Sequence, residues 1–238
     1  FNHGVMNTDN MSILGETFDY GPYAFMENFD PNYICNHTDS QGRYSFSNQP
    51  NIAEWNCYAL ASALIDIYSE AELRDTLSNF NGYFYDSLIE KYRKKLGLKS
   101  ALDSDYDLLL ELFKVMETDN LDYTNTFRDL SKIISLPDNY ELSEKLTLWL
   151  TSFKDRLIKD ENTIEESVLM MDDNNPKYIL RNYLAQSAIE DAELGKSKKI
   201  DELAKVLRDP YIDQGKSMEH FCKPAPEEQQ NQKLSCSS

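Results

Sequence analysis

Cations are scarce in this chain. Of its 238 residues, Lys plus Arg supply 24 and Asp plus Glu 41, for a formal charge of −17. A surface this acidic repels phosphate backbones and anionic lipid, which argues against a general nucleic-acid or membrane-surface role. Glycine and proline number eight each, too few for collagen-like, linker-like or loop-rich β architectures. Cysteine is sparse too: Cys35, Cys57, Cys222 and Cys236 are widely separated, with no C-x-x-C pair. Neither a structural zinc site nor a disulfide scaffold is expected, and reduced thiols in an intracellular protein are. No apolar run approaches the ~20 residues a membrane-spanning helix requires. The opening Phe1-Asn2-His3-Gly4 has no initiator Met, basic n-region or apolar h-region. No signal peptide is therefore read, and the chain is expected to be the C-terminal piece of something longer.

What is present is apolar enough to fold. Hydrophobic residues make up 41% of the chain, with 15 Tyr and 11 Phe, which excludes a disordered acidic chain. Residues 1–50 concentrate turn chemistry at Gly4, Gly15, Gly21, Gly42, Pro22, Pro31 and Pro50. Within them, Met11–Leu14 and Thr17–Tyr20 read as short strands or extended loops.

From Asn51 the period becomes helical. Trp55, Ala59, Ala63 and Ile67 recur every four residues, which predicts one apolar stripe. Further helical patterns cover Glu70–Leu98 with a break near Asn81-Gly82, Tyr106–Met116, and more weakly Asn120–Ile134. Leu142–Ile158 carries Leu146, Trp149, Leu150, Phe153 and Leu157 on one stripe, read as core. Pro176 is read as a helix start running through Ile179, Tyr183, Ala185 and Ile189 to a stop at Gly195. A short helix over Lys199–Arg208 follows, then a polar tail from Pro224. The expected class is mainly α: a catalytic segment of short strands and loops over 1–50, about seven helices over 51–222, and a flexible tail over 223–238.

The chemistry sits near the start. Asp9-Asn10 precedes a short apolar stretch, and Asp19 precedes Gly21. A tight hairpin over Met11–Phe18 would bring Asn10 and Asp19 together at its two ends. A carboxamide oxygen and a carboxylate converging there suit a hard divalent cation, and Mg²⁺ takes its remaining ligands from water and phosphates. The alternative is that Asp9, Asn10 and Asp19 are turn residues capping their own backbone. Protein kinases place an Asp base and an Asn metal ligand in H-R-D-x-x-x-x-N, followed by a metal-binding D-F-G. Here His3-Gly4, Asn10 and Asp19-Tyr20-Gly21 correspond, but Val5 stands where the base belongs. Either the chain binds nucleotide silently, or Asp9 has taken over as base.

The stretch from His3 to Gly15, with Asp19-Tyr20-Gly21-Pro22, resembles the signature of the selenoprotein O family. The likeness continues through Phe29-Asp30-Pro31, Ile34-Cys35-Asn36-His37, Gly42-Arg43-Tyr44, Gln49-Pro50, Trp55-Asn56, Asn175-Pro176-Lys177-Tyr178, Leu180-Arg181-Asn182 and Ser235-Cys236-Ser237-Ser238. The resemblance implies the C-terminal lobe of a protein-kinase-like fold that transfers AMP from ATP to Ser, Thr or Tyr hydroxyls of proteins. By position, Asp9 would be the base, Asn10 and Asp19 would hold Mg²⁺ or Mn²⁺, and Asp19 would also lie near ATP. The implied partners are ATP, hydroxyl-bearing protein substrates and an N-terminal lobe of the same protein, with neither nucleic acid nor membrane. The implied compartment is cytoplasmic for a bacterial protein and mitochondrial for a eukaryotic one. The Gly-rich loop, phosphate-binding Lys and Arg residues of the family are not found in this sequence, so the isolated chain is expected to be inactive. A catalytically silent nucleotide-binding pseudokinase and a helical interaction domain remain the alternatives. Cys236 occupies the place of selenocysteine in some members, which invites a redox Cys35–Cys236 disulfide, with two free thiols as the alternative. Arg181 is read as structural, holding the tail or the catalytic segment through a buried ion pair.

Overall fold

A computed structural model describes residues 1–136 and 139–229. The chain is mainly helical, as expected, with nine α-helices among the described residues. These are α1 Gln49–Ala63, α2 Glu70–Ser78, α3 Phe80–Lys95, α4 Asp105–Thr118, α5 Tyr123–Ser135, α6 Glu144–Ile158, α7 Ile164–Asn174, α8 Asn182–Glu193 and α9 Lys198–Val206. No described helix is long and apolar enough to cross a membrane. The described residues form two compact units, one from 1–24 and 30–88, the other from 25–29 and 89–229.

Of the short strands or extended loops read near the start, the loops are what form. Pairing among the described residues is limited to two isolated bridges, Asn2 with Ala24 and Asn28 with Asp122. Met11–Tyr20 instead makes one turn, closed by the Gly15 N–H on Ser12 O at 3.0 Å. Ile13, Leu14 and Phe18 remain exposed. A two-stranded hairpin with no third strand or helix over its apolar face is marginal in water.

In the first unit the predicted stripe is not the buried one. Helix α1 buries Ile52 and Asn56, while Trp55 is 50% exposed and Ile67, in the turn after the helix, 71%. Contacts of Gln49 and Asn56 with loop backbone, described below, decide which face turns inward. The expected break at Asn81-Gly82 falls instead at Asn79, between α2 and α3. A capping box of Ser69 and Glu72 starts α2.

In the second unit the apolar patterns hold. Leu108, Leu109, Leu112 and Met116 of α4 are buried, as are Leu146, Trp149, Leu150, Phe153 and Leu157 of α6. The Trp149 indole N–H donates to Leu108 O at 2.9 Å, so the stripe is core. Helix α4 packs on α6, α5 on α7, and α8 on α9. A second cluster joins Tyr178, Ala188, Leu203, Val206 and Phe221. Helix α8 stops at Gly195, whose φ is +76°, as read from the sequence. Its start was misplaced, however. Pro176 follows the end of α7, and α8 begins at Asn182. Helix α7 itself was missed, although Thr163-x-x-Glu166 is a capping box and a readable start signal.

Buried charge ties the ends of α4 and α6. Arg93 Nε lies 2.7 Å from Asp105 Oδ2, and Arg156 bonds Asp105, Asp160 and Ser100 O. Burial pushes the Asp160 carboxyl up. The N–H groups of Lys99, Ser100 and Asn162 and the Ser100 hydroxyl outweigh it and hold the group down at about 2. Its pKa is lower folded than unfolded, so its stabilisation is present above pH ~4 and is lost as pH falls towards 2. We expect urea midpoints of the wild-type protein to drop between pH 4 and 2. Asp160→Asn should remove part of that acid dependence and lower the midpoint at pH 7.

Candidate functional site

The segment Phe1–Asn10 has little regular structure of its own, so its backbone must find hydrogen bonds elsewhere. Side-chain amides provide them. Gln49 accepts the His3 N–H at 2.9 Å and donates to Phe1 O at 3.3 Å. Asn36 donates to Gly4 O at 3.3 Å, Asn10 to Val5 O at 3.2 Å and Asn56 to Met6 O at 3.0 Å. Asn2 donates to Tyr33 O at 2.9 Å and accepts the Gly4 N–H at 3.1 Å. Gln49 and Asn56 stand seven residues apart, two turns of α1, and so share a face. That face holds both the start and the middle of the loop.

Gly4 is required by its surroundings. Its φ is +78°, and a Cβ there would lie 2.6 Å from Cys35 Sγ and 2.7 Å from Pro22 O. The Cys35 thiol donates to Pro22 O at 2.8 Å and is 1% exposed. Burial pushes its pKa up to about 11. At pH 8 the thiolate is the reactive form and is almost absent at such a site. We expect native Cys35 to alkylate at least ~100-fold more slowly than it does after denaturation, read by peptide mass spectrometry. Cys236 lies outside the described residues, so the Cys35–Cys236 pairing has no structural account here. Forming it would require Cys35 Sγ to give up Pro22 O. Asn36, which completes an N-x-T sequon, is buried and already committed to Gly4 O and to Thr38.

The loop ends in a single 3-10 turn, Thr8–Asn10, closed by the Asn10 N–H on Asn7 O at 3.0 Å. The Asn7 side-chain oxygen accepts the Tyr44 hydroxyl. Asp9 at this turn is exposed, and Asp19 is half-buried. Neither carboxylate, nor the Asn10 side-chain oxygen, has a hydrogen-bond or ion-pair partner among the described residues. The turn-capping alternative describes Asn10, whose amide binds Val5 O, and two further residues of the segment. Asp30 accepts the Asn32 N–H at 2.8 Å, and Asp39 accepts those of Arg43 and Tyr44 at 2.8 Å each. Asp9 and Asp19 cap nothing. With no hairpin ladder between them, strand pairing does not draw Asn10 and Asp19 together.

The uncommitted donors are hard oxygens, the type that Mg²⁺ takes. No group of three or more His, Cys, Asp or Glu among the described residues suits a metal ion. Asn10 and Asp19 offer two such oxygens, so a cation on them would need water or phosphate to complete its shell. Beside the turn lies a cleft of about 470 Å³, lined mostly by apolar groups and including Thr8, Met11, Ile13, Asn56 and Leu60. Asn56 is 7% exposed, and its side-chain oxygen is buried without a partner among the described residues.

Across the segment after the turn, Arg43 lies over the rings of Trp55 and Tyr44, at 4.9 and 5.7 Å from their centroids. Tyr20, at the middle of Asp19-Tyr20-Gly21, is exposed and packs edge-on to Tyr23 at 5.6 Å.

In the second unit Arg181 is fully buried, as its structural reading required. Its guanidinium binds Glu27 and, at 2.7 Å, Asp122, and reaches Cys222 O at 3.4 Å. Glu27 also accepts the Ala225 N–H at 3.2 Å. Burial raises the Glu27 pKa, and Arg181 pulls it partly back. The sequence singled out Arg181 but not its partners. The roles of Gln49 and Asn56 were missed as well, because an amide that binds loop backbone carries no periodic signal.

The family model for protein adenylyltransferase SelO matches residues 1–208. A protein nucleotidyltransferase YdiU of Vibrio atlanticus is 44% identical over 247 residues, covering all of this chain and 50% of the relative. The proteins of the same name from Pseudomonas aeruginosa PAO1 and Vibrio cholerae are 43% and 41% identical over 244 and 252 residues, again covering the whole chain and 50% and 51% of the relative. The chain thus spans about half the length of the curated relatives it matches.

Proposed function

Because the chain belongs to the SelO family of protein adenylyltransferases, we propose that it is the catalytic-loop half of an enzyme that transfers AMP from ATP to protein Ser, Thr or Tyr hydroxyls. In this reading residues 1–50 carry the catalytic and metal-binding segment and 51–222 the helical lobe of a kinase-like arrangement. Residues 223–238 form the tail, and a redox disulfide from Cys236 to Cys35 would have to displace the Cys35 thiol from Pro22 O.

The observation that carries the reading is the pair of uncommitted carboxylates, Asp9 and Asp19, beside a loop whose backbone is otherwise clamped by amides. Asp9 accepts the proton of the acceptor hydroxyl as that oxygen attacks the α-phosphorus. The bond from phosphorus to the pyrophosphate oxygen breaks, and AMP is left on the side chain. Asn10 and Asp19 are the residues that would hold Mg²⁺, which when bound neutralises phosphate charge and supports the departing pyrophosphate. Val5 bears no proton-accepting group, which leaves Asp9 as the one carboxylate between His3 and Asn10.

Val5 is also the observation that favours a silent nucleotide-binding pseudokinase. Labelled ATP separates the two in a full-length protein carrying this chain. Transfer of label from the α-phosphate to protein, with none from the γ-phosphate, supports AMP transfer. Nucleotide binding without either transfer supports the silent reading.

A further inference from the structure

In the unit formed by 1–24 and 30–88 the sequence places two cationic side chains, Arg43 and Arg74, among eleven carboxylates. Arg74 is paired with Glu70 at 2.7 Å. Arg43 has no carboxylate partner among the described residues. A guanidinium on so acidic a surface would be expected to find one. It lies instead over two aromatic rings. Asp39 holds the backbone N–H groups of Arg43 and Tyr44, and Asn48 donates to Arg43 O at 2.6 Å. The Trp55 and Tyr44 rings support the side chain from below. Arg43 is exposed, and a guanidinium held over aromatic rings keeps its N–H donors available to a carboxylate and loses little freedom on binding one. Its location is tied to the chemistry, because the Tyr44 hydroxyl bonds Asn7, two residues before Asp9.

We propose that Arg43 is a specificity-determining residue that binds an acidic side chain of the acceptor protein close to the hydroxyl receiving AMP. The inference rests on the AMP-transfer reading above. The surrounding carboxylates sharpen it: an acidic acceptor residue is repelled elsewhere on this unit and attracted at one register, so position as well as charge is selected.

The test uses full-length protein and a set of peptides with one Ser, in which a single Glu is walked from three residues before the Ser to three after it. We expect one Glu position to raise kcat/KM about fivefold over Gln, the scale of a partly exposed ion pair. Arg43→Gln should erase that preference, and Arg43→Glu should replace it with a preference for Lys at the same position. Arg43→Lys, which keeps the charge and loses the planar fork, should retain part of it. Thermal midpoints within a few degrees of wild type keep the comparison one of folded proteins. A Glu preference unchanged in Arg43→Gln overturns the proposal. So does a rise in KM for ATP equal across all peptides, since Arg43 would then serve the nucleotide. If wild-type protein moves AMP to no peptide and no protein, the underlying reading fails and this proposal falls with it.

Discussion

Asp9→Asn in the full-length protein is expected to lower AMP transfer by about 10²–10⁴-fold, the range lost when a positioned general base is removed. Asn keeps the size and the turn geometry but cannot take a proton. Nothing in the fold depends on the Asp9 carboxylate, which is exposed and has no partner among the described residues. Stability should therefore stay within ~0.5 kcal/mol, as for most surface changes. Nucleotide affinity should also be retained, measured by calorimetry with ATP and Mg²⁺. Asp19→Ala should behave differently, losing nucleotide binding together with transfer because a proposed metal ligand is gone. An Asp9→Asn protein with undiminished α-phosphate transfer would remove Asp9 from the mechanism. Equal losses of ATP affinity in both variants would assign Asp9 to binding.

The second large effect is on stability. Arg181→Leu should cost about 3–5 kcal/mol, the penalty for leaving buried charges without their partner. It strands Glu27 and Asp122, which both face the guanidinium. The loss should be smaller at pH 5 than at pH 8. Burial already raises the Glu27 pKa, so a proton taken up at lower pH removes one of the two stranded charges. Adding Glu27→Leu should recover part of the stability, since an ion pair replaced by apolar groups is often close to neutral. Fluorescence of Trp149, buried in the α6 core, reports urea unfolding of this unit, and the difference in midpoints between the two pH values checks the sign. A cost below 1 kcal/mol would mean that the cluster contributes little.

The two predictions differ in how visible their residues were. Asp9, Asn10 and Asp19 stood out because acids and an amide close together in a turn-rich segment are the oxygen donors that a hard cation takes. The stripes of α4 and α6 were equally legible, since a helix that buries one face must repeat apolar residues at that period. The reading failed where a polar contact, and not apolarity, chose the inward face. Helix α1 turns Asn56 in and leaves Trp55 half exposed, because the amide binds Met6 O fifty residues away. Near the start loops form in place of strands for the complementary reason: short apolar stretches do not make a sheet unless another layer covers them.

The order of residues alone determined the helical class, the core stripe of α6, the stop at Gly195, the family and the acids proposed for the chemistry, since each is a local pattern or an invariant chemical need. Only the tertiary structure decided that amides of α1 clamp the loop, that Cys35 is sealed against Pro22, and that Arg181 draws Glu27 and Asp122 together across as many as 154 residues of chain. Those partners are chosen by where the backbone brings a donor within about 3 Å of an acceptor, a distance that no spacing along the chain encodes.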